Sequence, residues 1–319
     1  MQPASIVIIV PFYNRKHTIF NALESVKAQT IQPQQLVVVD DGSTDGGSEA
    51  VNQWISQNHG IINCRFHRQA KSAAGAAAAR NSGLKLADPS NFIAFLDSDD
   101  IWPPDFLERT HHRLSFQPDA IAATCDRMFT YANGIPNELH GSAELSVNAT
   151  RWILQHGAGI ASATLFRRSP IEKLGGFPLI AAGEDAALFL PLSLEGAWLY
   201  TPGKPIAFFR GLAERLGDAK NLTDQFHDGR SSWAQIYEDF LVRGRGRAFI
   251  NDSTYRRLIA RMWYMAGREL MKNSAPHEAV SCFQKSLAWN PWRGKCYIRM
   301  LRAFLKTLVR PSHPAPSLG

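Results

Sequence analysis

The sequence predicts an α/β fold, a mostly parallel sheet flanked by helices, with a C-terminal helical region after it. Short apolar runs of strand length alternate with stretches of helical spacing from residue 5 to about residue 87, which is the pattern of parallel strands joined by crossover helices. A further run, Asn91 to Leu96, ends in three carboxylates, Asp97, Asp99 and Asp100. From about residue 221 the apolar spacing is helical throughout, so we expect a first domain over 1–220 and a helical extension over 221–319.

In chain order, Ser5 to Val10 reads as the first strand, closed by Pro11-Phe12-Tyr13-Asn14, because proline cannot continue a ladder. His17 to Gln29 carries Ile19, Leu23 and Val26 at helical spacing. Leu36 to Val39 is the second strand and runs into the acidic turn Asp40 to Gly47, which opens a helix with Val51, Trp54 and Ile55. Ile61 to His67 is a third short strand, and Ala73 to Ala87 is an alanine-dominated helix holding Arg80 and Asn81. Asn91 to Leu96 is too short for a helix and reads as a buried strand. Past Pro104 a helix carries Phe106, Leu107 and Leu114, and Ala120 to Tyr131 is one further strand region. Residues 132–160 carry few signals.

Strands so connected bring Pro11 to Asn14, Asp40 to Asp45 and Asp97 to Asp100 to one rim, the side where open α/β sheets bind ligands. The three carboxylates after Leu96 are expected to point to a common ligand; the plainer alternative is a solvated turn with Asp100 capping the next helix. Neither GxGxxG nor GxxxxGK[ST] is present, so no glycine loop cradles phosphate. A carboxylate rim suits Mg²⁺ or a similar cation that itself carries the phosphates, with Asp99 the favoured ligand.

The composition, 45% hydrophobic over 319 residues, allows a sizeable core, and no apolar run reaches the length of a membrane-spanning helix. The N-terminal run of six apolar residues is a strand by pattern rather than a signal peptide. Four cysteines without CxxC spacing argue against a zinc site and a disulfide framework, and suggest free thiols in a reducing, cytoplasmic setting. The net charge of +7 is uneven: residues 1–200 hold 15 basic and 19 acidic side chains, residues 201–319 hold 20 and 9.

Four segments together, VPFYNR at 10–15, VVDDGSTDG at 38–46, GAAAARNSGL at 75–84 and FLDSDDIWPP at 95–104, resemble the family 2 inverting glycosyltransferases with the GT-A fold, over roughly residues 4–215. The resemblance implies a nucleotide-sugar donor, UDP-linked by analogy, bound with Mg²⁺ or Mn²⁺. It implies that Pro11 and Tyr13 border the nucleobase, that Asp41 hydrogen-bonds the base with Asp40 beside it, and that Arg80 lies by base and phosphates. Asp97 and Asp99 match the DXD pair around Ser98, with Asp97 toward the ribose and Asp99 on the metal. From the residues alone, Tyr13 could simply pack and Arg80 could form a structural ion pair with Asp40 or Asp41.

LGGFPLIAAGEDAALFLPLSLEG at 174–196 is similar to the acceptor side of that family, which implies Asp185 as general base and Glu184 as its neighbour, positioning the acceptor. The same pair is also ordinary helix N-terminal chemistry, where the dipole favours carboxylates and is expected to lower the pKa of Asp185. Two departures from the family pattern are Pro191, where a basic residue is usual, and Phe208 to Leu212, which lacks a histidine. Asp126 is a further carboxylate within reach of the rim by order. The resulting expectation is transfer of a sugar to a hydroxyl of a glycan or lipid-linked acceptor in surface-polysaccharide synthesis. The alternatives are a silent sugar-nucleotide or glycan-binding protein, and a nucleotidylyltransferase, whose glycine-rich basic loop PFYNRK does not supply.

In the extension, Tyr255 to Met271 and His277 to Trp289 form a hairpin resembling one tetratricopeptide unit, and Trp292 to Val309 is a last helix mixing basic and apolar residues before a proline and serine tail. That helix suggests peripheral contact with an anionic membrane, on its inner face, rather than with nucleic acid, since no stacking set accompanies the charges.

Overall fold

The computed structural model describes residues 5–70, 75–131, 135–180, 182–210, 216–218, 229–249 and 252–309. They divide into two compact units, 1–222 and 223–319.

The first unit begins with β1 (Ile6–Phe12), α1 (Ile19–Lys27), β2 (Gln35–Asp40), α2 (Gly47–Gln57), β3 (Cys64–Arg68), α3 (Ala76–Leu86) and β4 (Phe92–Phe95). It continues through β5 (Asp100–Ile101), α4 (Phe106–Ser115), β6 (Ala120–Thr124), β7 (Arg127–Tyr131), β8 (Pro136–His140) and α5 (Ala149–His156). It closes with β9 (Thr164–Arg167), α6 (Arg168–Lys173), α7 (Glu184–Leu192), β10 (Ala197–Tyr200) and β11 (Ile206–Arg210). Seven strands form one sheet in the order β10-β6-β9-β4-β1-β2-β3, and four form a second, β5-β11-β7-β8. In the large sheet β1 pairs in parallel with β2 and β4, β2 with β3, and β6 with β10, whereas β9 runs antiparallel to β4 and β6.

β1 and β2 are buried along their whole length, which is why they read as continuous apolar runs instead of alternating ones. Ile6, Ile8, Val10, Leu36 and Val38 belong to one core with Ile19, Leu23, Val51 and Trp54.

The structure corrects several expectations. Pro11 does not close β1, which runs on to Phe12. Phe12 O accepts from Asp41 N on the β2 side and Ile9 O accepts from Leu96 N on the β4 side, so by alternation Pro11 faces β4, whose pairing has ended at Phe95; its missing N–H costs no ladder bond. The single strand region expected over Ala120 to Tyr131 is two strands in different sheets, because the chain turns at Cys125 and Asp126. Asp100 is not a helix cap: it lies in β5, paired with Phe208 of β11, and Asp105 holds the cap position of α4. The last helix starts two residues later than expected, and residues 71–74, 211–215 and the tail beyond 309 lie outside the described residues.

The second unit consists of α8 (Gly229–Val242), α9 (Asp252–Lys272), α10 (Pro276–Trp289) and α11 (Gly294–Val309). The expected hairpin is α9 and α10. Gly267 lets the ring of Phe283 pack against α9; a Cβ there would stand 2.7 Å from Phe283 Cε1. Glu238 of α8 accepts from the indole N–H of both Trp263 and Trp289, each at 2.7 Å, and so ties three helices together.

Candidate active site

The rim is assembled by loops that follow β1, β2 and β4. Asn14, at φ 49°, holds the left-handed conformation that asparagine tolerates better than most residues. There its amide donates to Ser43 Oγ at 2.9 Å and its side-chain oxygen accepts from Thr44 N at 2.7 Å, joining the first two loops. Asp40 is fully buried and spends its carboxylate on that loop, accepting from Ser43 N and Oγ at 2.8 and 2.5 Å and from the Ser48 hydroxyl, with Arg68 Nε at 3.5 Å. Asp41, also buried, accepts from Gln69 Nε2 at 2.7 Å. Pro11 is buried, Tyr13 half-buried and Ser98 buried at the same rim.

Arg80 organises the opposite side. Its side chain is 3% exposed, and its guanidinium reaches Asp97 Oδ1 at 2.7 Å, Glu184 Oε1 at 3.1 Å and Asp185 Oδ1 at 3.1 Å. Arg80 is thus ion-paired, as the plainer alternative allows, but with these three carboxylates in place of Asp40 or Asp41. Phe177 lies against the guanidinium, 5.1 Å from ring centre to Cζ.

Small residues make this approach feasible. Ala77, Ala79 and Gly83 bury the face of α3 against the sheet, and a Cβ at Gly83 would stand 2.5 Å from Ile9 Cγ2. Asn81 then clasps Phe177, donating to its carbonyl at 2.7 Å and accepting from its amide at 2.9 Å. Gly176, at φ 79°, passes so close that a Cβ would meet Asn81 Oδ1 at 2.6 Å. The glycine pair at 175–176 is thus the point where the segment leading to α7 docks on α3, and Glu184 and Asp185 in the first turn of α7 land beside Arg80.

The expected lowering of the Asp185 pKa is not what the structure gives. Burial raises it to about 8; Arg80 opposes this, and Glu184 and Asp97 add to it. One guanidinium shared by three carboxylates does not offset the loss of solvent. For Arg80, burial works against the charge, but Asp185, Asp97 and Glu184 outweigh it and hold its pKa above the ordinary value.

The three carboxylates after β4 turn to different partners among the described residues. Asp97 turns to Arg80, Asp99 comes within 3.8 Å of Arg15, and Asp100 is buried near Arg127. Burial, then Asp99 and Asp97, push the Asp100 pKa well above the carboxylate range, with Ser162 and Arg127 opposing. The side chains of Asp97 and Asp99 remain 32% and 17% exposed. Among the described residues no group of three His, Cys, Asp or Glu side chains could hold a metal ion. Two oxygen donors at an open rim nevertheless fit Mg²⁺ or Mn²⁺ chemically, because such ions fill their remaining positions with phosphate oxygens and water.

Asp126 does not join the site: it accepts from Ser142 N and Tyr200 Oη at 2.7 and 2.8 Å. Sequence reasoning missed Ser162, whose hydroxyl receives Asp97 N at 3.0 Å, and Asp218, which accepts from the amides of His17 and Thr18 at 3.1 and 3.0 Å. Neither carries a local signal. Asn81 was visible beside Arg80, but its partner, Phe177, is 96 residues away.

The family model described as Glycosyl transferase family 2 matches residues 7–175. The chain belongs to this family. Glu184 and Asp185 lie just past the matched stretch. A relative from Escherichia coli, named UDP-Glc:alpha-D-GlcNAc-diphosphoundecaprenol beta-1,3-glucosyltransferase WfaP, is 40% identical over 194 residues, 59% of this chain and 70% of its own length. Glycosyltransferase GlyA of Streptococcus pneumoniae is 34% identical over 115 residues, 36% of this chain but only 16% of its own length, so the chain spans a small part of that relative. Among solved structures, S. aureus TarS 1-349 in complex with UDP-GlcNAc superimposes with a TM-score of 0.68 at 15% identity, covering 95% of this chain and 90% of that one. This likeness shows the fold, the GT-A arrangement that the four sequence segments imply.

Proposed function

We propose that the chain is an inverting glycosyltransferase that moves a sugar from a UDP-sugar to a hydroxyl of a glycan or lipid-linked acceptor in polysaccharide biosynthesis. The observation that carries this is the Arg80 junction, in which one buried guanidinium joins the DXD residue Asp97 to Glu184 and Asp185. It sets a potential proton acceptor at fixed distance from the donor rim, and pre-paid positioning of this kind is a large part of catalysis by displacement. WfaP, which carries UDP-Glc and a diphosphoundecaprenol-linked GlcNAc in its name, supports the donor and the kind of acceptor.

On this reading Pro11, Tyr13 and Asp41 border the base, and Asp97 orients the ribose. Asp99, with Asp97, holds the divalent cation, which when bound neutralises charge on the diphosphate leaving group. Asp185 takes the proton from the acceptor hydroxyl as its oxygen attacks the anomeric carbon, and UDP departs from the opposite face. A carboxylate raised to about 8 is a stronger proton acceptor than an ordinary one once it is deprotonated. Glu184 keeps Arg80 shared, so that Asp185 is not held as a simple ion pair.

The test is binding and transfer with UDP-glucose and UDP-N-acetylglucosamine in Mn²⁺ and in EDTA. Asp99→Ala is expected to abolish metal-dependent donor binding while the fold survives, since this carboxylate is partly exposed at the rim. Unchanged Mn²⁺-dependent binding in that variant overturns the metal assignment.

A further inference from the structure

We propose that α11 is an interfacial helix that docks the chain on an anionic lipid surface. The helix has two apolar sides. On one, Cys296 and Ala303 are buried, the Cys296 thiol donates to the Phe283 carbonyl at 3.4 Å, and Arg299 Nε donates to Tyr264 Oη at 3.0 Å, so that side is occupied by the hairpin of α9 and α10.

The second side has no such cover among the described residues. Tyr297, Ile298, Leu301, Phe304, Leu305 and Leu308 are 49%, 57%, 58%, 51%, 52% and 65% exposed. At about 100° per residue these six fall within an arc of about 120°. Lys295, Arg299, Arg302 and Lys306 fall in a single adjoining arc of about 60° on the same wheel. Trp292, just before the helix, is 94% exposed. An apolar stripe of this size on a helix surface marks a contact site, and single scattered apolar residues would not.

Charge identifies the occupant. After Glu278 the chain has seven Lys and Arg and no Asp or Glu, so nothing on this helix offsets the basic flank. A second copy laid on the stripe would bring another basic flank and no acidic side chain of its own helix to offset the first. An anionic bilayer accepts the apolar stripe among its acyl chains and the basic flank at its headgroups, with the long Lys and Arg stems spanning the two levels. This rests on α11 alone and makes no use of the sugar-transfer reading.

The experiment is co-sedimentation of the full chain with vesicles of phosphatidylcholine, with and without phosphatidylglycerol, at low and high salt. Binding to the anionic vesicles that weakens with salt is expected, with little binding to neutral ones. Each basic side chain near such a surface changes the partition about fivefold, so Arg302→Gln with Lys306→Gln should lower it about 25-fold. Leu301→Asp with Phe304→Asp should abolish it, with thermal unfolding unchanged because both positions are exposed. No binding of the wild-type chain to anionic vesicles overturns the proposal, as does equal binding to neutral ones. A dimer in solution that these apolar substitutions dissociate, without vesicle binding, gives the stripe to a second copy and overturns it too.

Discussion

Arg80 holds three carboxylates with one guanidinium, and removing it leaves them without a counter-charge. Arg80→Met should therefore destabilise the chain by about 3 kcal/mol at neutral pH, the scale of breaking a buried ion pair from one side, discounted here because Asp97 is 32% exposed. The loss should grow from pH 7 to pH 9, because Asp185 keeps its proton up to about 8 and needs the cation most once it is ionised; denaturant unfolding at the two pH values measures it. A loss that is the same at the two pH values contradicts the electrostatic account. Asp185 gives a second prediction. Its pKa is raised from 3.8 to about 8, so in that window the folded state keeps a proton that the unfolded chain releases. Stability from this group is thus lost as pH rises from about 4 to about 8. Activity moves the other way: kcat/KM of the free enzyme should climb with pH until Asp185 is deprotonated near 8, and a profile already flat from pH 5 upward excludes Asp185 as the titrating base. The sequence identified Arg80, Asp97 and Asp185 one by one, and it placed Glu184 and Asp185 correctly at a helix start. Their meeting point was hidden, because it depends on Asn81 clasping Phe177 across 96 residues, and the sign of the pKa shift was hidden with it.

At the level of elements, β1, β2 and β4 were legible because parallel strands covered on both faces are apolar throughout, whereas β9 and the small sheet were not. β9, Thr164–Arg167, is a short antiparallel strand between β4 and β6, and no local pattern tells an antiparallel insertion from another parallel strand. β5 has two residues, and only its pairing with β11 makes it a strand and buries Asp100. The packing of α3 on β1 is open to test at Gly83. A Cβ there would stand 2.5 Å from Ile9 Cγ2 in the core, so Gly83→Ala should cost about 1 to 3 kcal/mol in spite of its better helix propensity. Urea denaturation measures it, and a neutral or stabilising outcome would show that α3 has room to shift. Such a shift should also loosen Arg80, three residues away on the same helix.

Over the whole molecule, the change from an acidic first 200 residues to a basic remainder was plain in the sequence and corresponds to no feature of the candidate site. The boundary expected at 220 stands beside a division into units at 222. The residues assigned to the donor and acceptor sides both fall within the first unit. The donor-side resemblance rests on four contiguous segments, whereas Glu184 and Asp185 follow the dock at Gly176, beyond the stretch the family model matches. That makes Asp185 the point at which the account is most exposed. The decisive measurement is single-turnover transfer by the full-length Asp185→Asn variant beside the wild type, with UDP-glucose and a GlcNAc-diphospho-lipid acceptor in Mn²⁺, paired with donor affinity by calorimetry. Affinity should be retained and transfer should fall by roughly 10² to 10⁴, the range for a lost general base. Near wild-type transfer by Asp185→Asn would contradict the account, and loss in Glu184→Gln alone would hand the role to Glu184.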